Sequence, residues 1–367
     1  MGSRGDWQTF LEEFRNFGGR AENVIQRDGP LGLGLFPIDP SQPVELMVPK
    51  PLLVPAGNVE LHNGDAVIHD DSAFPHGYAD WFRRYQATYS WGAEGEASVT
   101  RFETGLQQLP ETLRQTLQSL NLYQPQQRLP KTDWRENMLR RFLNSRCLGR
   151  QGQLLVMPIV ELVNHAPSAG NWETRPDGGV GISGRRQGEI LVKYSNADPL
   201  RRLMGYGFNA LETMAFSLRV QLQHRRQPVL VQGGGGRHWF QPAGIEQRDE
   251  QLVVQQPLLG HREQPKLPKS LFLHACKSLT NVEPAELFDQ IHRANTLALV
   301  DVLHQLEHVA GETADQLRNG CLDQLEVLSN HVGHRQNMTD ADGAMSEPRH
   351  PLPTPPPGMG QSADQTT

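Results

Sequence analysis

The chain has 367 residues and a formal net charge of −6, and its Lys and Arg residues form no basic stripe, which argues against nucleic acid as a partner. Its three cysteines, Cys147, Cys276 and Cys321, are too dispersed for a zinc site or a disulfide framework, so we expect no metal and a reducing, cytoplasmic location. The N-terminus has no apolar signal core, and no run approaches the roughly 18 apolar residues of a membrane span, so we expect no membrane association.

The first part of the chain predicts one helix followed by short strands. In residues 7–14, four large apolar side chains recur at i, i+3, i+4 and i+7, which is the period of an amphipathic helix. Residues 27–55 are punctuated by Gly and Pro between short apolar runs, which is typical of strands and turns.

The middle of the chain changes character twice. Residues 61–143 show helical periods, for example in ETLRQTLQSLN and WRENMLRRFL. Residues 144–208 return to strand-like patterns in LLVMPIVELV and GEILVKY.

The last part is predicted to be mainly helical. LETMAFSLRVQL, from residue 211, fits a helix or a strand; QLVVQQPLL predicts a strand, and residues 268–331 are helical in pattern. Residues 336–367 are polar and rich in Pro and Gly, which predicts disorder. The fold class is therefore α+β, a strand-rich body interrupted by a helical insert and followed by a mostly helical lobe. The predicted units are 1–60, 61–143, 144–210, 211–335 and 336–367.

Four short motifs occur in order along this pattern. They are GPLGLGLF at residues 29–36, NSRCLG at 144–149, MPIVELVNHAP at 157–167 and KYSNADPLRRLMGYGF at 193–208. Each alone has an ordinary structural explanation, such as a tight turn, a surface arginine or a core tyrosine. The glycines do not match a dinucleotide fingerprint, because no helix follows them.

Taken together, the four motifs resemble those of the SET-domain protein-lysine methyltransferases. The similarity is to the Rubisco large-subunit methyltransferase-like group, which has a split SET domain and a C-terminal helical lobe. The chain departs from that group's pattern by having Glu161 where Asp is commoner and Asp198-Pro199 where Ser-Asn is common.

The resemblance implies methyl transfer from S-adenosyl-L-methionine to a lysine of a protein substrate that docks on the helical lobe of a monomer. Tyr194 would be the catalytic tyrosine, and backbone carbonyls near Ser145 and Glu161 would accept from the substrate amine. Arg146 would bind the cofactor carboxylate and Asn164 its amino end. The other cofactor-binding residues that the resemblance implies are Gly32, Leu33, Gly34, His165, Tyr206 and Phe208.

Two alternatives remain open from the sequence. The acceptor is a different side chain, such as histidine, or the chain is a non-catalytic SET-like protein that binds a partner through its helical lobe. Asp198-Pro199 keeps the second alternative open, since it alters a motif next to the predicted catalytic tyrosine.

Overall fold

A computed structural model describes residues 4–123, 134–233, 243–277, 279 and 282–330. The residues predicted to form a disordered tail, 336–367, lie outside these ranges, as does most of the Gly-rich stretch at 233–236. The helices of the described part are α1 (Arg4–Asn16), α2 (Tyr78–Tyr89), α3 (Glu96–Gln108), α4 (Glu111–Ser119), α5 (Trp134–Arg146), α6 (Pro199–Tyr206), α7 (Leu267–Ala275), α8 (Pro284–Leu306) and α9 (Glu312–Ser329).

Strands occupy both the N-terminal half and the segment after α6. They are β1 (Arg20–Glu22), β2 (Val24–Gly29), β3 (Gly32–Pro37), β4 (Pro43–Val48), β5 (Val54–Pro55), β6 (Val59–His62), β7 (Asp65–Ile68), β8 (Cys147–Arg150), β9 (Gln153–Val156), β10 (Asn164–His165), β11 (Glu173–Thr174), β12 (Val180–Arg185), β13 (Leu191–Val192), β14 (Met214–Phe216), β15 (Val220–His224), β16 (Gln227–Gln232), β17 (Gly244–Arg248), β18 (Gln251–Gln255) and β19 (Leu258–His261). This mixture confirms the predicted α+β class.

The N-terminal strands pair across the helical insert. β4 lies between β1 and β12, antiparallel to both, and β12 also pairs with β11. β9 pairs with β5 on one side and β8 on the other. Strands from before and after the insert therefore complete the same sheets, as the split strand-rich body predicted.

Two large apolar cores organise the described part of the chain. The first joins α1, α2, α5 and the N-terminal strands, with the buried Trp81 stacked on Phe14 and Tyr85 at centroid distances of 5.4 Å each. The second joins α4 and α6 to the C-terminal strands and α7–α9. The insert is divided between them, since α2 packs into the first core whereas α4 packs into the second.

The secondary structure differs from the predicted pattern at several places. The segment predicted as a helical insert from residue 61 begins with the β6–β7 hairpin, and its first helix starts at Tyr78. The C-terminal segment from 211 contains β14–β19 before its helices begin at Leu267. The apolar stretch LLVMPIVELV is a strand only to Val156, because Pro158 offers no N–H for a ladder and Ile159 adopts φ +69° before a 3₁₀ turn at Val160–Leu162.

No helix in the described ranges is long and apolar enough to cross a bilayer. The same residues contain no group of three or more His, Cys, Asp or Glu side chains arranged to hold a metal ion.

Candidate active site

A cavity of about 650 Å³ opens where the two cores meet. Its walls come from the β2–β3 turn, a π-helical turn at Trp91–Gly95, the end of α5, the segment around β10 and the residues that follow α6. The volume lies in the range of small-ligand sites, about 300–1,000 Å³. Segments distant in sequence therefore converge on one pocket.

Most of the residues predicted to bind or act on a ligand meet in this cavity. Those that line it are Gly32, Leu33, Ser145, Arg146, Asn164, His165, Tyr194, Tyr206 and Phe208. Gly34 and Glu161 are not among the described residues that line it. The cavity is also lined by residues that no sequence motif indicated, namely Ser90, Glu94 and Ser98 of the insert and Asn209 and Leu211 after α6.

Arg146 presents a guanidinium to the cavity at the last position of α5. Its Nη1 donates to the carbonyl oxygen of Glu161 at 3.2 Å, and its Cζ lies 4.7 Å from the centroid of the Phe142 ring. Within the described ranges Arg146 forms no direct ion pair with a carboxylate, so its remaining N–H groups are available to an anionic ligand. An arginine fork matches the geometry of a carboxylate.

Asn164 is oriented by two acceptors on its own side of the cavity. Its Nδ2 donates to the carbonyl of Leu33 at 3.0 Å and to Glu189 Oε1 at 2.6 Å. Because both neighbours are acceptors, the amide nitrogen must face them, and the amide oxygen is left to accept from a ligand N–H.

Gly34 stands behind this amide rather than in the cavity wall. A Cβ at Gly34 would overlap the Glu189 carboxylate and approach Asn164 Nδ2 at 2.8 Å. The absence of a side chain at Gly34 therefore allows Asn164 and Glu189 to pair.

The phenol of Tyr194 lies in the same cavity as Arg146 and Asn164. Its hydroxyl donates to the carbonyl of Val163 at 2.6 Å, which leaves the phenol oxygen to accept a hydrogen bond from a ligand. Burial raises the pKa of Tyr194 to about 12, so the phenol is protonated at neutral pH. The carbonyl that meets this phenol is that of Val163 rather than that of Glu161.

Aromatic rings surround Tyr194. The Tyr206 ring lies at a centroid distance of 5.5 Å from the Tyr194 ring, and Phe208 lies 6.4 Å from Tyr194 and 6.0 Å from His165. Trp172 stacks on the outer side of Tyr194 at 6.3 Å. The rings give the pocket apolar and π-rich walls that suit an aromatic or a cationic ligand group.

The side chain of Glu161 lies in a separate buried cluster. Its Oε1 accepts from Tyr85 Oη, Gln86 Nε2 and Ser90 Oγ at 3.0, 2.9 and 2.9 Å. Burial raises the pKa of Glu161 in spite of these donors and the nearby Arg146. Glu161 therefore ties the end of α2 to the wall of the cavity instead of facing a ligand.

No family model matches the chain, and no curated protein matches it. Several solved structures are similar to this chain. One, the SET domain of LSMT bound to lysine and AdoHcy, has 15% identity, a TM-score of 0.43 and 93% coverage of both chains. Another, Rubisco LSMT bound to AdoMet, has 14% identity, a TM-score of 0.40 and coverage of 91% of this chain and 92% of the other.

Proposed function

We propose that this protein transfers a methyl group from S-adenosyl-L-methionine to a lysine side chain of a protein substrate. The observation that carries the proposal is that the Tyr194 phenol, the Arg146 guanidinium and the Asn164 amide line one cavity. These groups come from three separate motifs in the sequence, and each faces the cavity with hydrogen-bonding capacity to spare.

The residues present fit this cofactor. Arg146 would bind its carboxylate, the amide oxygen of Asn164 would accept from its amino group, and the ring of Phe208 offers a surface for its adenine. The aromatic faces of Tyr194 and Tyr206 suit a positively charged sulfur. When bound, the cofactor supplies a methyl group on a sulfonium, which needs no metal to become transferable.

Tyr194 would orient the acceptor amine. A lysine must lose its proton to attack, and its free pKa is about 10.4. Desolvation and a neighbouring positive charge both favour the neutral amine. The phenol oxygen, with its own proton held by Val163, can accept an amine N–H and direct the nitrogen lone pair toward the methyl carbon. Since burial raises the pKa of Tyr194 to about 12, we assign it orientation rather than proton abstraction.

Several finer statements belong to this proposal. We propose a protein substrate that docks on the C-terminal helices, a monomeric enzyme and a cytoplasmic location. Two alternatives remain, methylation of histidine and a non-catalytic binding protein. The following experiment distinguishes both from lysine methylation.

The test has two parts. Calorimetry measures binding of S-adenosylmethionine, and a second assay measures transfer of labelled methyl groups from this cofactor to proteins of a cell lysate. We expect the native protein to bind the cofactor and to label lysine. Arg146→Met should weaken binding about 10- to 150-fold, since a hydrogen bond to a charged group contributes about 1.5–3 kcal/mol. Arg185→Ala, at an exposed arginine of β12, is the matched control and should bind as the native protein does.

Tyr194→Phe should bind the cofactor normally but transfer methyl groups about 10²-fold more slowly, because small misplacements of a reacting group have effects of that size. Binding without transfer by the native protein would favour the non-catalytic alternative. Label on histidine would change the acceptor, and a Tyr194→Phe variant as active as the native protein would remove the assigned role of Tyr194.

A further inference from the structure

A buried ionic network lies behind the aromatic wall of the cavity. Glu212 Oε1 accepts from His165 Nε2 at 3.0 Å and from Arg202 Nε at 2.6 Å. The side chains of these three residues are 0 to 1% exposed. His165 lines the cavity, whereas neither Arg202 nor Glu212 is among the described residues that do.

The network fixes which ring nitrogen of His165 carries the proton. The backbone N–H of Tyr194 points at His165 Nδ1 at 3.1 Å, and a backbone N–H can only donate. Nδ1 is therefore unprotonated, the ring is neutral, and Nε2 carries the proton that it donates to Glu212. The same imidazole thus accepts a hydrogen bond from the backbone of Tyr194 at Nδ1 and donates one to Glu212 at Nε2.

Arg202 connects the network to both tyrosines. Its Cζ lies 4.5 Å from the centroid of the Tyr206 ring and 5.8 Å from that of Tyr194. Its Nη2 donates to the carbonyl of Ser195, next to Tyr194, at 3.1 Å. Arg202 therefore contacts the face of one cavity tyrosine and the backbone beside the other.

Stability alone does not explain such a network. A buried ion pair loses its hydration and is often no more stabilising than apolar residues of the same size. The charged groups instead fix the orientation of their neighbours. Glu212 sets the angle of the His165 imidazole, and the planar guanidinium of Arg202 sets the plane of the Tyr206 ring.

We propose that Glu212 and Arg202 are positioning residues for this cavity, which hold His165 in its Nε2-protonated form and orient Tyr194 and Tyr206. This proposal concerns the same cavity as the proposed function, and only the expected change in kcat rests on that function. The protonation of His165 can be measured whether or not the protein transfers methyl groups.

The first measurement is ¹⁵N NMR of the protein labelled at histidine, with His165 assigned by comparison with His165→Gln. We expect the native ring to show an unprotonated Nδ1 and a protonated Nε2. A native ring with the proton on Nδ1, or on both nitrogens at neutral pH, would overturn the inference without any variant.

The second measurement compares Glu212→Gln with Glu103→Gln. Glu103 is also buried and ion-paired, its Oε2 lying 3.1 Å from Arg141 Nη1, so the two variants disturb comparable interactions. Glu212→Gln should shift the His165 Nε2 signal, because a neutral amide oxygen replaces the carboxylate that accepts its proton, and should lower kcat at least about tenfold at nearly unchanged cofactor affinity. Glu103→Gln should leave the His165 signals in place.

Arg202→Lys gives an independent arm, since lysine keeps the charge but loses the fork and the flat contact with Tyr206. It should lower kcat and leave the His165 proton on Nε2. Native His165 signals in Glu212→Gln would overturn the inference. If the native protein shows the expected His165 signals but does not bind the cofactor, the proposed function is overturned and the assignment of the network is kept.

Discussion

Glu161 supports the cavity through both its backbone and its side chain. Its backbone is predicted to accept from a substrate amine; its carbonyl also accepts from Arg146, and its carboxylate accepts from Tyr85, Gln86 and Ser90. Ser90 and the adjoining Tyr89 line the cavity. Glu161 therefore supports the wall from behind.

The raised pKa of Glu161 leads to a pH-dependent prediction. Between the ordinary glutamate pKa of about 4.3 and the higher pKa of Glu161 in the folded protein, the unfolded chain has released this proton whereas the folded chain retains it. The folded state binds more protons, so the contribution of Glu161 to stability falls as pH rises toward its folded pKa. Gln cannot titrate but keeps an oxygen for the three donors.

Urea unfolding of Glu161→Gln and the native protein across pH 4 to 8 measures this effect. The free energy of unfolding of the variant, relative to the native protein, should increase with pH by up to about 1.4 kcal/mol per pH unit. Glu12→Gln, at an exposed site of α1, is the control. A relative stability of Glu161→Gln that stays flat or falls as pH rises would contradict the prediction.

At the scale of elements, α6 explains the departure at Asp198-Pro199. Asp198 is the N-cap of this helix, its Oδ1 accepting from the N–H of Arg201 at 2.8 Å, and Pro199 occupies the first turn, where its missing N–H has no cost. Gly207 ends the helix at φ +80°, a conformation that glycine adopts without strain. The altered motif therefore starts the helix that carries Arg202 and Tyr206.

Removal of this cap should loosen α6. Asp198→Ala should lower the free energy of unfolding by about 0.5–2 kcal/mol, which is the usual effect of losing an N-cap. Asp198→Asn keeps the acceptor and should recover most of the loss. Thermal or urea unfolding measures both, and equal destabilisation by the two substitutions would show that the capping hydrogen bond is not the cause.

A local signature can be read from sequence, whereas an element that depends on distant partners cannot. The period of Trp7, Phe10, Leu11 and Phe14 predicts α1 because amphipathic spacing is local. The β6–β7 hairpin was missed although Asn63-Gly64, with φ values of +53° and +94°, is a strong hairpin signal.

The segment of β14 and β15 fits a helix or a strand by sequence, although Val220 and Leu222 alternate with glutamines in β15, and tertiary pairing selects the strands. In the site, the motif residues could be named from sequence because each motif is a short contiguous stretch. Glu212 lies outside the motifs and pairs with His165 across 47 residues, and Arg202, although inside a motif, shows its role only through that pairing.

At the scale of the whole molecule, the insert and the C-terminal helices meet at a glycine. Gly105 of α3 faces Thr313 of α9 so closely that a Cβ would overlap the threonine hydroxyl. α3 begins at Glu96, directly after the π-helical turn that lines the cavity. Packing of α3 against α9 therefore influences the position of the π-helical turn and with it the shape of the pocket.

Gly105→Leu should separate α3 from α9. We expect a loss of about 1–3 kcal/mol in the free energy of unfolding, as for other overpacked contacts, together with weaker ligand binding in the cavity. Thr104→Leu, at the neighbouring exposed position, is the matched control. Urea unfolding and calorimetry give the two quantities, and native stability in Gly105→Leu would show that this contact is not tightly packed.

The predicted boundary at residues 210 and 211 runs through the site. Leu211 lines the cavity, Glu212 orients His165, and Asn209 Nδ2 donates to the carbonyl of Gln316 in α9 at 2.8 Å. Residues assigned by sequence to a separate lobe thus complete the pocket of the preceding one.

The position of Glu212 has a consequence for synthesis on the ribosome. A nascent chain that has emerged to residue 210 already contains each side chain predicted to touch a ligand, yet its imidazole at position 165 still lacks its acceptor. Since chains emerge from the N-terminus onward, the pocket can adopt its final form only after Glu212 has emerged as well.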